Sequence, residues 1–383
     1  MRVAVTGAGI AGLTVAAALT RARVPCAVFE QAPELGEVGA GIQLAPNAAR
    51  LLHRLGLGPY LGRAAVRPVA LEMRRWDDGR VLRRTELRDC AARFGAPYYA
   101  VHRAVLHRGL SDLLPAGTVR LGHRCTAVAE RPDGVELRFA DGSAHRAGVA
   151  VGADGIHSVF RASLAGDRPR FSGQYIYRGL VSVPLAEPTV TLWLGPGQHL
   201  VRYPIGPDGL VSFAATVPAA TAAPESWTAE GSVPELLRAY EGWHDDARGV
   251  LAAAGRVGRW ALHDRDTLDR WGTGRTTLVG DAAHPMLPFL AQGANQAVED
   301  AVVLANLLAA EGAAGLGRYE DVRRGRTEEV HRISRRNAAM LHLPDGAEQR
   351  RRDEVLRDTE DLRHQAWLYG HDAEREPGLP RIA

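Results

Sequence analysis

The chain of 383 residues, 46% hydrophobic and 24% charged, has the composition of a globular protein of about two domains with a sizeable core. Its net charge of +3, with the basic residues scattered, does not indicate a nucleic-acid partner, and no uninterrupted apolar run is long enough to cross a bilayer. Cys26, Cys90 and Cys125 form no C-x-x-C pair, which fits a reducing compartment, and without a basic leader or cleavage site the default location is cytoplasmic.

Residues 2–6 are a short apolar run rich in β-branched side chains, the pattern of a strand. They enter Gly7-Ala8-Gly9-Ile10-Ala11-Gly12, followed by a helical stretch over 13–19 and a second strand over 26–29 that ends at Glu30. Each part has a physical reason. Gly7 makes the tight turn, Gly9 lets backbone N–H groups approach a pyrophosphate, and Gly12 lets the helix sit close on the strand. The helix N-terminus adds partial positive charge, and Glu30 stands where a carboxylate grips ribose hydroxyls. Three glycines alone often serve only packing. With the strand, the helix and the acid in place, they predict a bound dinucleotide.

The glycine-rich segment 37–47 reads either as loop punctuation or as part of a site, and turns helical over 48–55. A hairpin is expected over 69–76 and 80–87, around Asp77-Asp78-Gly79. Residues 98–103 lead into a helix over 104–114. Strand-like runs at 119–122, 126–131 and 135–139 read as a small antiparallel meander, and the strand at 148–151 delivers Gly152-Ala153-Asp154-Gly155. From 170 to 259 the pattern becomes alternating strands, at 174–184, 189–194, 199–203 and 211–217. Period two puts His199, Val201 and Tyr203 on one face and Leu200 and Arg202 on the other. His199 is then either a working base or a satisfied strand histidine. An Ala-rich loop over 219–224 and a helix over 234–244 follow, and then a strand over 276–279 that ends at Gly280-Asp281. A helix opens at Ala291-Gln292-Gly293-Ala294-Asn295 and runs to Leu308, with amphipathic helices over 319–326 and 330–341. No second Gly-x-Gly-x-x-Gly follows a strand, and no His/Cys or His/carboxylate cluster has ligand spacing, so no metal is expected.

The opening glycine turn, the run Val-Gly-Ala-Asp-Gly-Ile-His-Ser-Val-Phe-Arg at 151–161, and Leu-Val-Gly-Asp-Ala-Ala-His-Pro onward to Glu-Asp at 278–300 occur in this order. Together they resemble the single-component FAD-dependent aromatic hydroxylases, in the branch of salicylate hydroxylase and 6-hydroxynicotinate monooxygenase. The resemblance implies an α/β fold of the p-hydroxybenzoate hydroxylase kind: a Rossmann-like FAD-binding domain (1–68, 98–169 and 260–345), an inserted β-sheet substrate domain (69–97 and 170–259) and a C-terminal helical tail (346–383). The tail lies on the flavin domain or on a neighbouring subunit.

The same resemblance implies FAD, with NADH or NADPH as electron donor and O2 as co-substrate. It places the Gly41 segment beside the flavin, Arg103 on the FAD phosphates, Asp154 near the cofactor and the donor's route, and Gly280 and Asp281 on the ribityl chain. Pro285 falls at the flavin edge, and Gly293, Ala294 and Asn295 offer backbone N–H groups to its pyrimidine end. His199, with Tyr203 beside it, is the candidate partner of a phenol. The implied reaction hydroxylates a phenolic or hydroxypyridine carboxylic acid through a flavin C4a-hydroperoxide, with decarboxylation where the attacked carbon bears the carboxylate. Alternatives are a larger polycyclic or purine substrate, or a flavin-binding protein without turnover. No nucleic acid or membrane partner is implied, and the chain is a monomer or homodimer.

Overall fold

The computed structural model describes residues 1–36, 40–206, 209–221, 230–358 and 362–380. The expectations for Glu37 to Gly39, and for the Ala-rich loop beyond residue 221, lie outside the described residues.

Strand Val3–Thr6 is buried along its whole length, as a strand covered on both faces must be. It sits at the centre of a five-stranded sheet ordered Thr276–Leu278, Val149–Gly152, Val3–Thr6, Cys26–Phe29, Val119–Arg120, and every pairing is parallel. Helix Ile10–Arg21 returns the chain between the first two strands and packs on the long helix Gly293–Glu311. The expected α/β class and glycine-turn βαβ unit are both present.

The meander needs one correction. Val119–Arg120 is not part of it but forms the edge of the parallel sheet. The three antiparallel strands are Cys125–Arg131, Gly134–Phe139 and Ala144–Ala147.

The second sheet has eight strands in the order Glu230–Gly231, Val257–Asp264, Arg170–Ser182, Leu210–Pro218, Gln198–Pro204, Thr189–Gly195, Ala70–Arg75, Val81–Glu86. Its outer face presents Tyr175, Tyr177, Trp193, Leu200, Phe213 and Ala215 to a core shared with Leu236, Tyr240, Ala247 and Leu251. Those partners come from two helices, Val233–Ala239 with its C-cap Tyr240, and Asp245–Ala252. The single helix expected over 234–244 therefore stops early, and His244 caps the second one by accepting from the Asp246 N–H. The inner face carries Ile176, Leu180, Leu192, Leu194, Val201 and Tyr203, and packs toward Met286, Leu287, Phe289 and Leu290.

One helix of 27 residues, Gly315–Leu341, replaces the two expected amphipathic helices. The stretch from Gly293 onward is, on length and composition, long and apolar enough for a membrane span, although Glu299 and Asp300 interrupt its apolar run. With 61% of its most apolar window buried inside the protein, it is the central helix of the core. The tail packs on its own chain. Arg50 donates to the carbonyls of Phe94, Tyr369, Gly370 and His371, and Arg54 pairs with Asp372 and Glu374.

Candidate active site

The glycine turn is built as its spacing requires. Gly7 has φ +91, and a Cβ there would run into the Ala153 backbone, while one on Gly12 would overlap the Gly7 carbonyl. Gly9 differs from both, because nothing lies within 4 Å of where its Cβ would be. It precedes helix Ile10–Arg21 without any side-chain cap, so the first-turn N–H groups face open space. Glu30 stands beside them, accepting from the Ala8 N–H (2.7 Å) and the Ala32 N–H (2.8 Å).

Arg103 opens helix Arg103–Asp112 at the end of strand Tyr99–His102, its N–H donating to the Ala40 carbonyl. Its guanidinium acts electrostatically on Asp281, which follows strand Thr276–Leu278. Asp281 keeps access to solvent, and desolvation by the protein packed around it pushes its pKa up. Gly280 has φ +58, and its N–H donates to Asp300. Asp154 takes the Val159 N–H at 2.8 Å, while its second oxygen has no partner among the described residues. Burial pushes its pKa up as well.

Arg161, fully buried, gathers the turn that follows Asp281. It donates to the carbonyls of Ala282, Ala283 and Asp266 and pairs with Asp167. Pro285 is buried just beyond. Ala291 then takes a left-handed φ of +52 immediately before helix Gly293–Glu311. Asn295 holds that bend. Its amide donates to the carbonyls of Ala291 and Gln43 and accepts from the Ala45 N–H, so its side chain ties the helix start to strand Gly41–Leu44. Gln292 provides no side-chain cap, and the amides at Gly293 and Ala294 open the helix beside Asp281.

Beneath this turn lies a charge network that the sequence did not reveal. Glu299 and Asp300, read only as dipole-favouring acids, are wholly buried. Glu299 accepts from Asn47, Arg323 and Arg326, and Asp300 from Arg323 and His284. Burial works against the Glu299 charge, but Arg323 and Arg326 prevail and draw its pKa down to about 2. His284 is thereby committed to Asp300 at 2.6 Å. Two adjacent acids inside the apolar run Ala297 to Leu308 were the available signal, since a carboxylate there demands cationic partners.

The large sheet roofs the crevice, and its register lines the inner face in rungs. One rung runs Arg178, Ala214, Val201, Leu192, Met73, Arg83. The rung on one side carries Ile176, Thr216 and His199, and that on the other carries Leu180, Ser212 and Tyr203. Gly41 meets this roof directly: its N–H donates to Ser212 Oγ, and a Cβ would press on Tyr203, Ser212 and Ile205. The Tyr203 phenol is hydrogen-bonded to Ser212 and Gln43, and burial raises its pKa.

His199 is 5% exposed. Its Nδ1 lies 2.8 Å from Nε2 of His342, a residue with no role in the sequence reading, and Phe289 sets its ring edge against both imidazoles. Burial, with the second imidazole alongside, pushes the His199 pKa well below its usual value. Burial alone brings that of His342 down to about 4.

The cradle at Gly9, the paired Glu30, the solvent-facing Asp281 and the uncapped start of helix Gly293–Glu311 fit an extended dinucleotide whose ring system reaches under the roof. Fold and site together define a flavin-dependent ring hydroxylase. Residues 1–334 match the family model described as an FAD binding domain, and the chain belongs to that family. It is 53% identical to 3-amino-4-hydroxybenzoate 2-monooxygenase of Streptomyces platensis, over 97% of this chain and 96% of that one. It is 34% identical to 6-hydroxynicotinate 3-monooxygenase of Bordetella bronchiseptica, over 98% and 96%. Among solved structures, HpxO of Klebsiella pneumoniae, complexed with FAD and uric acid, superposes with a TM-score of 0.87 at 28% identity, over 95% of this chain and 94% of that one. The protein is an FAD-dependent aromatic hydroxylase with NAD(P)H as donor.

Proposed function

We propose that this enzyme hydroxylates 3-amino-4-hydroxybenzoate on the ring carbon between the carboxylate and the amino group. The observation that carries the reading is the 53% identity, spread over 97% of the chain, with a relative named for that reaction. The chemistry follows from the ring. The attacked carbon is ortho to the amine and meta to the hydroxyl, so its electron density comes from the nitrogen lone pair. A buried crevice favours the uncharged amine that this requires. The carbon bears hydrogen, so the carboxylate is retained.

We assign the parallel-sheet lobe (1–68, 98–169 and 260–345) to FAD, the roof (69–97 and 170–259) to the aromatic acid, and 346–383 to the tail. When bound, FAD would supply the hydride acceptor for NAD(P)H and the centre that activates O2. The N–H groups after Gly7 and Gly9 take the pyrophosphate, Glu30 the ribose and Arg103 the phosphates, while Gly280 and Asp281 take the ribityl hydroxyls. Asp154 orders the turn beside Gly7. Gly293, Ala294 and Asn295 direct backbone N–H groups at the pyrimidine end, where reduction places negative charge. Pro285, held by the Arg161-braced turn, and Gly41 wall the flavin ring and exclude water.

His199, kept neutral by its surroundings, accepts the ring hydroxyl's hydrogen bond, and Tyr203 fixes the ring's orientation. The test is product analysis with 3-amino-4-hydroxybenzoate and NAD(P)H. The expected product has gained one oxygen and kept its carboxyl. Release of carbon dioxide, or no product from this acid, would overturn the reading.

A further inference from the structure

Most arginines of the large sheet have a partner within the fold. Arg75 pairs with Asp77 and Asp345, and Arg83 donates to Thr85. Arg202 lies over the Trp193 ring on the outer face, and Arg259 lies 3.9 Å from the Tyr175 ring centre. Arg178 is the exception. On strand Arg170–Ser182 it alternates with Tyr175 and Tyr177, which face the outer core, and so shares the inner face with Ile176 and Leu180. It stands in the rung with Ala214 and Val201, two strands and about 10 Å across the sheet from the line of His199 and Tyr203.

Its guanidinium makes no ion pair, hydrogen bond or aromatic contact among the described residues. The groups that act on it electrostatically are the Tyr203 phenol and the like-charged Arg103. Arg178 is half-buried on an apolar face, where a guanidinium with no counter-charge is incompletely solvated. It is the kind of group retained where a ligand brings the missing anion.

We propose that Arg178 anchors the carboxylate of the aromatic substrate, so that the ring lies under Ala214 and Val201 with its hydroxyl toward His199 and Tyr203. The guanidinium fork matches a carboxylate bidentately. The assignment rests on the aminohydroxybenzoate reading and gives each polar substituent a place: carboxylate on one side of the roof, hydroxyl on the other. Arg103 sits toward Asp281 in the nucleotide lobe and is left for the cofactor.

The test compares the FAD-loaded wild type with Arg178→Gln and Arg178→Lys, binding 3-amino-4-hydroxybenzoate and its carboxamide by the change in flavin absorbance. The acid should bind Arg178→Gln on the order of a hundredfold more weakly, as when a buried charge-assisted pair loses one member. Arg178→Lys should recover part of that loss, and the carboxamide should bind wild type and both variants within about twofold of one another. The apoprotein of Arg178→Gln should melt no lower than the wild type, because it loses an uncompensated charge. Equal weakening of acid and carboxamide, unchanged acid binding, or reduced FAD content in Arg178→Gln would overturn the assignment. Wild type that binds neither ligand would sink the substrate reading beneath it, and that measurement comes first.

Discussion

Nδ1 of His199 lies 2.8 Å from Nε2 of His342, with the two rings stacked at 23° and their centres 5.1 Å apart. A strand and the end of a helix, 143 residues apart, thus contribute one imidazole each to a single buried pair. Both groups have folded-state pKa values below the ordinary 6.5, that of His342 at about 4. The unfolded chain therefore binds protons first as the medium is acidified. The stability tied to the neutral pair is complete above pH 6.5 and is lost as pH falls toward about 4. His342→Gln should flatten the fall of the thermal midpoint across that window. A variant as acid-sensitive there as the wild type would contradict the pairing.

His199→Ala should keep its flavin, because no part of the nucleotide cradle depends on it, and should lower the yield of hydroxylated product per NAD(P)H on the order of tenfold or more. Unchanged yield with full flavin content would remove His199 from the reaction.

Gly9 and Gly12 should fail in different ways. Gly9→Val adds a side chain where nothing lies within 4 Å, so the protein should fold with a near-normal melting temperature and purify colourless. Gly12→Ala drives a methyl into the Gly7 carbonyl and should lower stability by about 1–3 kcal/mol before cofactor is considered. Melting curves of the apoproteins, read with flavin absorbance, separate the two. A yellow Gly9→Val protein would contradict the cradle.

Glu299→Gln tests the network beneath the flavin turn. Removing one member of a buried charge cluster costs about 3–5 kcal/mol at neutral pH. The Glu299 pKa is lowered in the fold to about 2 from an ordinary 4.5. The stability from its charge is present above pH 4.5 and disappears as pH falls through about 2. The wild type should lose its advantage over Glu299→Gln across that interval, as measured by chemical denaturation at fixed pH. A gap that stays constant would mean that Glu299 is uncharged in the fold.

The glycine turn and the face of the 199–203 strand were legible because each is a local pattern, one set by φ and close approach, the other by period two. Val119–Arg120 was not legible: two residues on a sheet edge carry no periodicity, so the run borrowed the appearance of its antiparallel neighbours. The helix Gly315–Leu341 was divided between Arg326 and Val330, where Thr327, Glu328 and Glu329 put three polar residues in a row. Thr327 is buried, its hydroxyl donating to the Arg323 and Arg324 carbonyls, so the polar run continues the helix, which the packing of Leu316, Tyr319 and Val330 holds in place. The partners of His199, Glu299 and Asp300 come from a distant helix, and only the three-dimensional structure brings them together.

The most direct test of the central claim is turnover of 3-amino-4-hydroxybenzoate by the FAD-loaded enzyme under isotopically heavy O2, counting labelled product against NAD(P)H consumed. The account predicts nearly one labelled, carboxyl-bearing product for each NAD(P)H, and oxidation of NAD(P)H that accelerates when the acid is added. Consumption of NAD(P)H without labelled product, or oxygen drawn from water, would contradict it.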